Sequence, residues 1–352
     1  MSTFLAKSFE TIVAYKPGEQ LGDDYLKLNA NESSQEPSPR VLEVLKNVQN
    51  LNYYNDPCQH KLRQKLADLH SLDKTNIIVG TGADDVLDLI FRTFFERGDK
   101  LAFPKVTYPF YKGYADTYGY EALEVPLTKD LRVDLSDYED LPHAVLVVNP
   151  DAPTGFLKPL SSIKKLVASH PERLVIVDEA YIDFGGKSAM ELVNKYENVL
   201  VVQTFSKSRS MAGMRIGYCF GNPELIKALN DVKFSFNSYT MNRTSISYGI
   251  ESVNDKEYFE ECVGKIVKTR ENAKERLSQL GFSFPDSKAN FIFATHKSVP
   301  AKEIFEKLKG KNIFVRYFNQ PLIDNYLRIT IGTDEQMEKL YAALEEITGQ
   351  VK

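Results

Sequence analysis

The sequence predicts an α/β protein, in which a large domain with a mostly parallel seven-stranded sheet between helices is followed by a smaller α+β domain. From residue 76, short apolar runs alternate with stretches of helical spacing, and such alternation favours crossover connections and a parallel sheet covered on both faces. The seven runs fall at residues 77–79, 101–103, 121–125, 144–148, 174–177, 199–202 and 215–220. Near residue 250 the pattern changes to a long charged helical stretch, which introduces the smaller domain.

The segments outside the large sheet can be assigned in order. Residues 1–36 are expected to form an irregular N-terminal arm that packs on the small domain, with the large domain at 37–250 and the small domain at 251–352. Helices are expected from about residue 38 and over 61–70, with a turn at 52–57 between them. The small domain is predicted in this order: helix 255–280, strand 290–294, helix 301–309, strands 313–316 and 327–331, and helix 334–347.

Composition excludes several classes of protein. The 352 residues are 43% hydrophobic with a net charge of −4, so we expect a sizeable core and no nucleic-acid surface. Cys58, Cys219 and Cys262 form no CxxC pair and the five histidines form no known motif, which argues against a bound metal. Residues 1–17 do not resemble a signal peptide, and no apolar run approaches the roughly 18 residues that span a bilayer. We expect a soluble cytoplasmic protein.

The chemically informative residues follow the predicted strands. In sheets of this kind, ligands bind beyond the carboxyl ends of the strands. The segments at those ends are 80–84, 149–155, 178–181 and 204–207. They are therefore expected to lie together and to form a binding site.

Lys207 is the candidate nucleophile. It lies in the run T-F-S-K at 204–207, directly after an apolar strand and among small residues. An amine that attacks a carbonyl must be partly deprotonated, and both burial and a nearby positive charge favour that state. Arg215, eight residues later, can supply that charge and also bind a phosphate. The alternative, a surface turn that carries two cations, stays open from this segment alone.

Asp178 and Tyr181 follow the strand predicted at 174–177. An ionised carboxylate at the end of a buried strand is costly unless a cation faces it, and a protonated pyridine nitrogen is one such cation. Tyr181 lies three residues on and can reach the same ligand if the chain turns. The alternative is that Asp178 is the N-cap of a helix.

The glycine-containing turn 80–84 suits a phosphate. It has neither the Walker lysine nor the GxGxxG pattern, yet its backbone amides at a helix start favour a monophosphate. Ser206 and Arg215 can add charge-assisted hydrogen bonds. Tyr108 follows the next strand and either stacks on a flat heteroaromatic ring or belongs to the core.

Two arginines of the predicted small domain indicate a second anion site. Arg316 and Arg328 both lie in apolar, strand-like stretches, where an arginine is either paired or directed at an anion. A structural ion pair for one of the two stays an alternative.

Together these motifs resemble the fold-type I pyridoxal-phosphate enzymes, and more narrowly the histidinol-phosphate aminotransferase family. The resemblance covers nearly the whole chain. The matching motifs are L-N-A-N-E at 28–32, Y-N-D-P at 54–57, G-A-D-D at 82–85, N-P-D-A-P-T-G at 149–155, D-E-A-Y at 178–181, T-F-S-K at 204–207, A-G-M-R-I-G-Y at 212–218, A-N-F-I at 289–292 and L-R-I-T-I-G-T at 327–333.

The resemblance implies a role for each site residue. Lys207 would carry pyridoxal 5′-phosphate as a Schiff base, Asp178 would pair with the ring nitrogen and Tyr181 would bond the 3-oxygen. The phosphate would be surrounded by Ala83, Asp84, Ser206 and Arg215, joined by Tyr54 from the partner subunit of a homodimer. Tyr108 would stack on the ring. The substrate would be held by Tyr15, Asn31, Arg316 and Arg328.

One departure from the family pattern affects the cofactor. The family usually has N-P-N-N-P-T-G, in which the asparagine before Pro-Thr-Gly bonds the 3-oxygen, and here that position is Ala152. Either Tyr181 alone serves this oxygen, or Asn149 or Asp151 reaches it. A smaller departure places Asp85 where glutamate is more usual.

The resemblance implies transamination between L-histidinol phosphate and 2-oxoglutarate, which gives imidazole-acetol phosphate and L-glutamate. Three other functions stay open from the sequence: an aromatic amino-acid aminotransferase, a lyase similar to threonine-phosphate decarboxylase, and a non-catalytic cofactor-binding regulator.

Overall fold

The computed structural model describes residue 19 and residues 25–349. Its twelve strands, in chain order, are β1 (Leu26–Leu28), β2 (Ile77–Gly80), β3 (Lys100–Pro104), β4 (Glu121–Val125), β5 (Ala144–Val148), β6 (Val175–Asp178), β7 (Val199–Thr204), β8 (Gly217–Gly221), β9 (Phe282–Ser283), β10 (Phe291–His296), β11 (Ile313–Tyr317) and β12 (Leu327–Thr330). Its α-helices are α1 (Pro39–Val44), α2 (His60–His70), α3 (Ala83–Phe94), α4 (Phe110–Tyr118), α5 (Leu160–Ser169), α6 (Pro223–Phe236), α7 (Arg243–Asn254), α8 (Lys256–Gln279), α9 (Ala301–Gly310) and α10 (Asp334–Thr348).

Seven strands form the large sheet, in the order β2-β8-β7-β6-β5-β3-β4. All neighbouring pairs are parallel except those of β8, which runs antiparallel to β2 and β7. The prediction of a mostly parallel seven-stranded sheet is confirmed. The last predicted strand begins two residues late, at Gly217, because Arg215 adopts a left-handed conformation with φ of 52°.

Burial on both faces explains the sequence of the central strands. Every residue of β6 and β7 is buried, so these strands read as continuous apolar runs rather than as alternating ones. One apolar cluster covers each face, and α3 contributes to one of them through the stripe Val86, Leu87, Ile90 and Phe91.

A second sheet, in the order β1-β11-β12-β10-β9, belongs to the smaller unit. Its core includes apolar residues of α8, α9 and α10. The prediction of an irregular arm is wrong for Leu26–Leu28, which forms β1 and pairs in parallel with β11. The two-residue strand β9 was not predicted because so short a segment carries no alternation pattern. The domain boundaries at 36 and 250 stay predictions.

The two sheets are joined by hydrogen bonds from buried groups. Arg270 of α8 donates from Nη1 to Phe184 O at 2.9 Å and to Ala289 O at 3.0 Å. The backbone N–H of Lys288 donates to Gly155 O at 2.8 Å. These bonds fix the loops after β5 and β6 against the segment that leads into β10. Within residues 25–349, no helix is both long and apolar enough to cross a membrane.

Candidate active site

The carboxyl ends of β5, β6 and β7 place the predicted site residues at one edge of the large sheet. The register pairs Val148 with Asp178 and Asp178 with Val202, so the loops that follow these three strands start at the same level. Lys207 lies three residues after the end of β7. The structure therefore brings together the segments that the sequence analysis singled out.

Asp178 is a buried carboxylate held by neutral donors. Its Oδ2 accepts a hydrogen bond from Tyr111 Oη at 2.6 Å, and its Oδ1 accepts one from the backbone N–H of Ala180 at 3.0 Å. Burial raises the pKa of Asp178, although these two hydrogen bonds oppose the increase. Among the described residues, no ion pair includes this carboxylate. The next helical turn begins after Tyr181, so Asp178 is not its N-cap.

Lys207 is half-buried and faces Tyr181. Its Nζ donates to Ala30 O at 3.2 Å and lies 5.9 Å from the centroid of the Tyr181 ring. The residues after β1 therefore cover the amine, although 177 positions separate Ala30 from Lys207. Lys207 is therefore not on an isolated surface turn, which was the alternative left open by the sequence.

The start of α3 forms a concave backbone surface beside Arg215. Gly82 precedes the helix with φ of 91° and without a side-chain cap. A Cβ atom at Gly82 would lie 2.5 Å from Arg215 Nη2, and one at Gly217 would lie 2.2 Å from the Gly82 carbonyl carbon. Arg215 Nη2 also lies 3.6 Å from Asp84 Oδ2. The structure thus brings a guanidinium group to the amides at a helix start, an arrangement that suits an anion, and the anion site itself stays a prediction.

Ser206 and Tyr108 were also predicted to contact the cofactor. Ser206 is buried, and its Oγ lies 2.9 Å from Thr204 Oγ1. Tyr108 is half-buried and donates from Oη to Asp84 Oδ1 at 3.1 Å, while its ring stacks on Phe110 at 5.0 Å. The tyrosine therefore contacts the start of α3 through its hydroxyl, while its ring packs against the apolar cluster on this face of the sheet.

The loop after β5 contains Asn149 and Asp151, two of the groups that were expected to reach the 3-oxygen of the cofactor. Asn149 Oδ1 accepts from the backbone N–H of Lys158 at 2.8 Å, and Nδ2 donates to Lys158 O at 3.5 Å. Lys158 Nζ in turn lies 2.5 Å from Asp151 Oδ1. Asp151 is thus paired with Lys158, and one N–H of the Asn149 amide is directed to the Lys158 carbonyl. Which of the predicted groups serves the 3-oxygen stays a prediction, and Tyr181 is the one that faces Lys207.

Asn31 contacts Tyr181 directly. Its Nδ2 donates to Tyr181 Oη at 2.9 Å, and its backbone N–H donates to Thr330 Oγ1 at 3.0 Å. Asn290 Nδ2 donates to Asn31 O at 3.0 Å. Asn31 was predicted to hold the substrate, and in the structure its amide is occupied by these neighbours.

Arg316 and Arg328 are cross-strand neighbours on β11 and β12. Both guanidinium groups lie over the Phe318 ring, at 5.7 Å and 5.6 Å from its centroid, and Arg328 Nη2 donates to Asn29 O at 3.1 Å. Two guanidinium groups on one face of a sheet can bind a phosphate or carboxylate group through charge-assisted hydrogen bonds.

Of the two remaining predicted residues, the structure describes Tyr54. Tyr54 is 80% exposed on the protomer, and its ring stacks on Tyr239 at 4.5 Å. Tyr15 lies outside the described residues.

Sequence reasoning missed several residues that complete the site. Tyr111 lies three positions after Tyr108, and this helical spacing was the only local signal for it. Asn290 and Thr330 lie within the motifs at 289–292 and 327–333, but the sequence did not indicate their role, because their contacts to Asn31 join residues 259 and 299 positions apart.

Comparisons with known proteins agree with this geometry. The model of the aminotransferase class I and II family matches residues 23–344. Histidinol-phosphate aminotransferase from Brachyspira hyodysenteriae is 46% identical over 342 residues, which cover 96% of this chain and 97% of that protein. The enzyme of the same name from Clostridium botulinum strain Okra is 43% identical and matches over the full length of both chains.

A solved structure shows the same fold. The crystal structure of histidinol-phosphate aminotransferase from Sinorhizobium meliloti, in complex with pyridoxal-5′-phosphate, is 26% identical and superposes with a TM-score of 0.89. The match covers 100% of this chain and 99% of that one. The chain therefore belongs to the class I and II aminotransferases and, within them, to the histidinol-phosphate aminotransferase family.

Proposed function

We propose that this protein is a pyridoxal-phosphate-dependent aminotransferase that transfers the amino group of L-histidinol phosphate to 2-oxoglutarate, in L-histidine biosynthesis. The observation that carries the proposal is the buried carboxylate of Asp178 at the same sheet edge as the Lys207 amine. A buried acid held only by neutral donors within the described residues fits a cationic ligand, which the protonated ring nitrogen of the cofactor supplies.

The residues around Asp178 fit the rest of the cofactor. The amides at the start of α3, with Ser206 and Arg215, suit its phosphate group. Lys207 is placed to bind the cofactor covalently, and Tyr181 faces the amine. The hydroxyl of Tyr108 contacts Asp84 at the start of α3, and its ring is proposed to cover the flat heterocycle of the cofactor.

When bound, pyridoxal phosphate supplies an electron-accepting ring that stabilises negative charge on the substrate carbon that bears the amine. Asp178 would hold the proton on the ring nitrogen, which would keep the ring electron-poor. Lys207 Nζ, freed when the substrate amine takes its place, would remove the proton from that substrate carbon and deliver it to the cofactor carbon bonded to the transferred nitrogen. Neither step needs a metal ion.

The substrate's anionic end is held by Arg316 and Arg328. The two guanidinium groups share one face of the small sheet beside Phe318. A pair of cations accepts the phosphate of histidinol phosphate and, in the second half-reaction, a carboxylate of 2-oxoglutarate. Tyr15 is proposed to assist there.

The protein is further proposed to act as a cytoplasmic homodimer with shared sites. Tyr54 is exposed on the protomer and stacks on Tyr239, which leaves its hydroxyl available to a second subunit. The three cysteines are free thiols, as a reducing compartment requires.

Replacement of Lys207 tests the cofactor assignment. We expect Lys207→Ala to abolish turnover and the visible absorbance of the covalently bound cofactor, and borohydride reduction of the wild type to label the peptide that contains Lys207. Lys187→Ala is the matched control, because Lys187 is an exposed lysine paired only with Glu191 among the ion pairs described. Normal turnover in Lys207→Ala, or a label elsewhere, contradicts the proposal.

The substrate is tested by comparing kcat/KM for histidinol phosphate, phenylalanine and threonine phosphate, with carbon dioxide release measured in parallel. We expect histidinol phosphate to give the highest value and no carbon dioxide to form. A preference for phenylalanine, or carbon dioxide released from threonine phosphate, replaces the proposal with an aromatic aminotransferase or a lyase. Bound cofactor without amino transfer from any donor indicates a non-catalytic regulator.

A further inference from the structure

We propose that Asn31 is a positioning residue that directs the Tyr181 hydroxyl proton to the cofactor's 3-oxygen, and that it thereby compensates for the amide absent at Ala152. The inference rests on the proposed function, because it assumes that pyridoxal phosphate occupies the site. It changes the role of Asn31 from a substrate ligand to a residue that acts through Tyr181.

The orientation of the Asn31 amide is fixed by its neighbours. Asn31 is 1% exposed and adopts a left-handed backbone with φ of 54°. Its backbone N–H can only donate, and it does so to Thr330 Oγ1 at 3.0 Å. The Thr330 hydroxyl proton is then directed to Asn31 Oδ1, at 3.1 Å. This arrangement leaves Nδ2 on the side of Tyr181.

The direction of the next hydrogen bond follows from this orientation. Asn31 Nδ2 donates to Tyr181 Oη at 2.9 Å, so the phenol oxygen is the acceptor in this contact. A hydroxyl that accepts one bond still has its own proton to donate. The Tyr181 ring packs edge-on against Phe291 at 5.1 Å, which restricts where that proton can point. Lys207 Nζ lies on the face of the same ring.

The loop after β5 explains why the compensation is needed. The side chain of Ala152 has no polar atom and packs against the apolar core of the small sheet. Asn149 and Asp151 are both engaged with Lys158. Within residues 150–152, no side chain donates to the 3-oxygen, and the Asn149 amide is oriented towards Lys158 by its two contacts, so the fixed Tyr181 proton is proposed as the main donor.

Four variants test the inference without any measurement of turnover. Asn31→Ala removes the donor to Tyr181. Asn31→Asp has nearly the same shape but presents only acceptors when ionised, so the Tyr181 proton is drawn to the introduced carboxylate. Asn29→Ala is the control, because the Asn29 side chain lies in the same segment and donates to Glu19 O. Tyr181→Phe gives the result expected when the hydroxyl is lost completely.

Two measurements are made for each variant. Apoprotein is titrated with pyridoxal phosphate to obtain the dissociation constant, and the visible absorbance of the loaded protein is followed against pH. We expect Asn31→Ala to weaken binding about fivefold, the effect of one neutral hydrogen bond. Loss of the donor leaves more negative charge on the 3-oxygen, which retains the adjacent proton more strongly. The midpoint of the absorbance change should therefore rise by about half a pH unit or more.

The combination of variants separates a positioning role from a structural one. We expect Asn31→Asp to behave at least as badly as Asn31→Ala, and the effects of Asn31→Ala to vanish in the Tyr181→Phe background. Ala152→Asn should restore the midpoint of Asn31→Ala towards the wild-type value. An unchanged midpoint in both Asn31 variants, or equal effects from Asn29→Ala, overturns the inference. If the wild-type protein binds no pyridoxal phosphate, the proposed function is overturned together with this inference. If the enzyme proves to use an amino donor other than histidinol phosphate, the proposed substrate is wrong, but the binding and absorbance measurements still test the inference.

Discussion

Tyr111 Oη donates to Asp178 Oδ2 at 2.6 Å, and both side chains are buried between α4 and the end of β6. Burial raises the pKa of Tyr111 well above its usual range, so the phenol stays protonated wherever the enzyme can be assayed. Tyr111 is therefore a permanent donor to the carboxylate that is proposed to face the cofactor ring. It stabilises the ionised form of Asp178 against the burial that raises its pKa.

Removing this donor should reduce catalysis more than it reduces stability. We expect Tyr111→Phe to lower kcat by about 10-fold, because hydrogen bonds to charged groups contribute about 1.5–3 kcal/mol. The measurement is steady-state turnover with saturating substrates. Tyr120→Phe is the control, since Tyr120 is a buried tyrosine that donates to Phe91 O. Equal kcat in Tyr111→Phe and wild type would contradict the role assigned to this contact.

Glu179 gives a prediction about stability and pH. Burial raises its pKa to about 7, although Ser188, the Ala189 N–H and Gln203 donate to the carboxylate. The native state therefore retains a proton that the unfolded state loses above pH of about 4.3. The free energy of unfolding should fall as pH rises from there to about 7, by up to about 3 kcal/mol from this group.

Urea denaturation at several pH values checks this effect. Glu179→Gln cannot titrate, so the difference in unfolding free energy between wild type and variant should depend on pH between about 4 and 7 and become constant above that range. Comparing the two proteins cancels the other titrating groups. A difference that does not change with pH would exclude the titration of Glu179 as its source.

Substitution of Arg316 or Arg328 is expected to weaken substrate binding. Arg328→Gln and Arg316→Gln should each raise KM for histidinol phosphate and for 2-oxoglutarate by at least about 10-fold, because a charge-assisted bond to each anion is removed. Cofactor absorbance should not change. Arg276→Gln, which removes an exposed arginine paired with Glu345 on α10, is the control. Unaltered KM values for both substrates would remove the pair from the substrate site.

Hybrid dimers test whether Tyr54 acts across the subunit interface. We expect Tyr54→Ala and Lys207→Ala each to lose most activity alone. When the two are mixed as heterodimers, one of the two sites regains both a native Lys207 and the partner's native tyrosine. Activity should therefore recover towards half of the wild-type value per dimer. Activity that stays at the level of the parents would show that Tyr54 does not complete a neighbouring site.

Much of the fold and part of the site were predictable from local pattern. The strands of the large sheet are apolar runs because both faces are buried, and Asp178 and Lys207 were found because they follow two such runs. The contact of Asn31 with Thr330 was not predictable, because it depends on how β12 meets the segment after β1. Asn149 belongs to the motif at 149–155 and was expected to contact the cofactor, but its side chain accepts a hydrogen bond from the Lys158 backbone, which the motif does not reveal.

The pairing of β1 with β11 also determines when the site can be assembled. Ala30 and Asn31 follow β1 directly, yet β1 is held in the sheet by Ile313–Tyr317, close to the opposite end of the chain. During translation, Asp178 and Lys207 leave the ribosome long before β11, the strand that holds β1 and the residues covering Lys207 in place. We therefore expect the complete surroundings of Lys207 to form only after β11 has been synthesised.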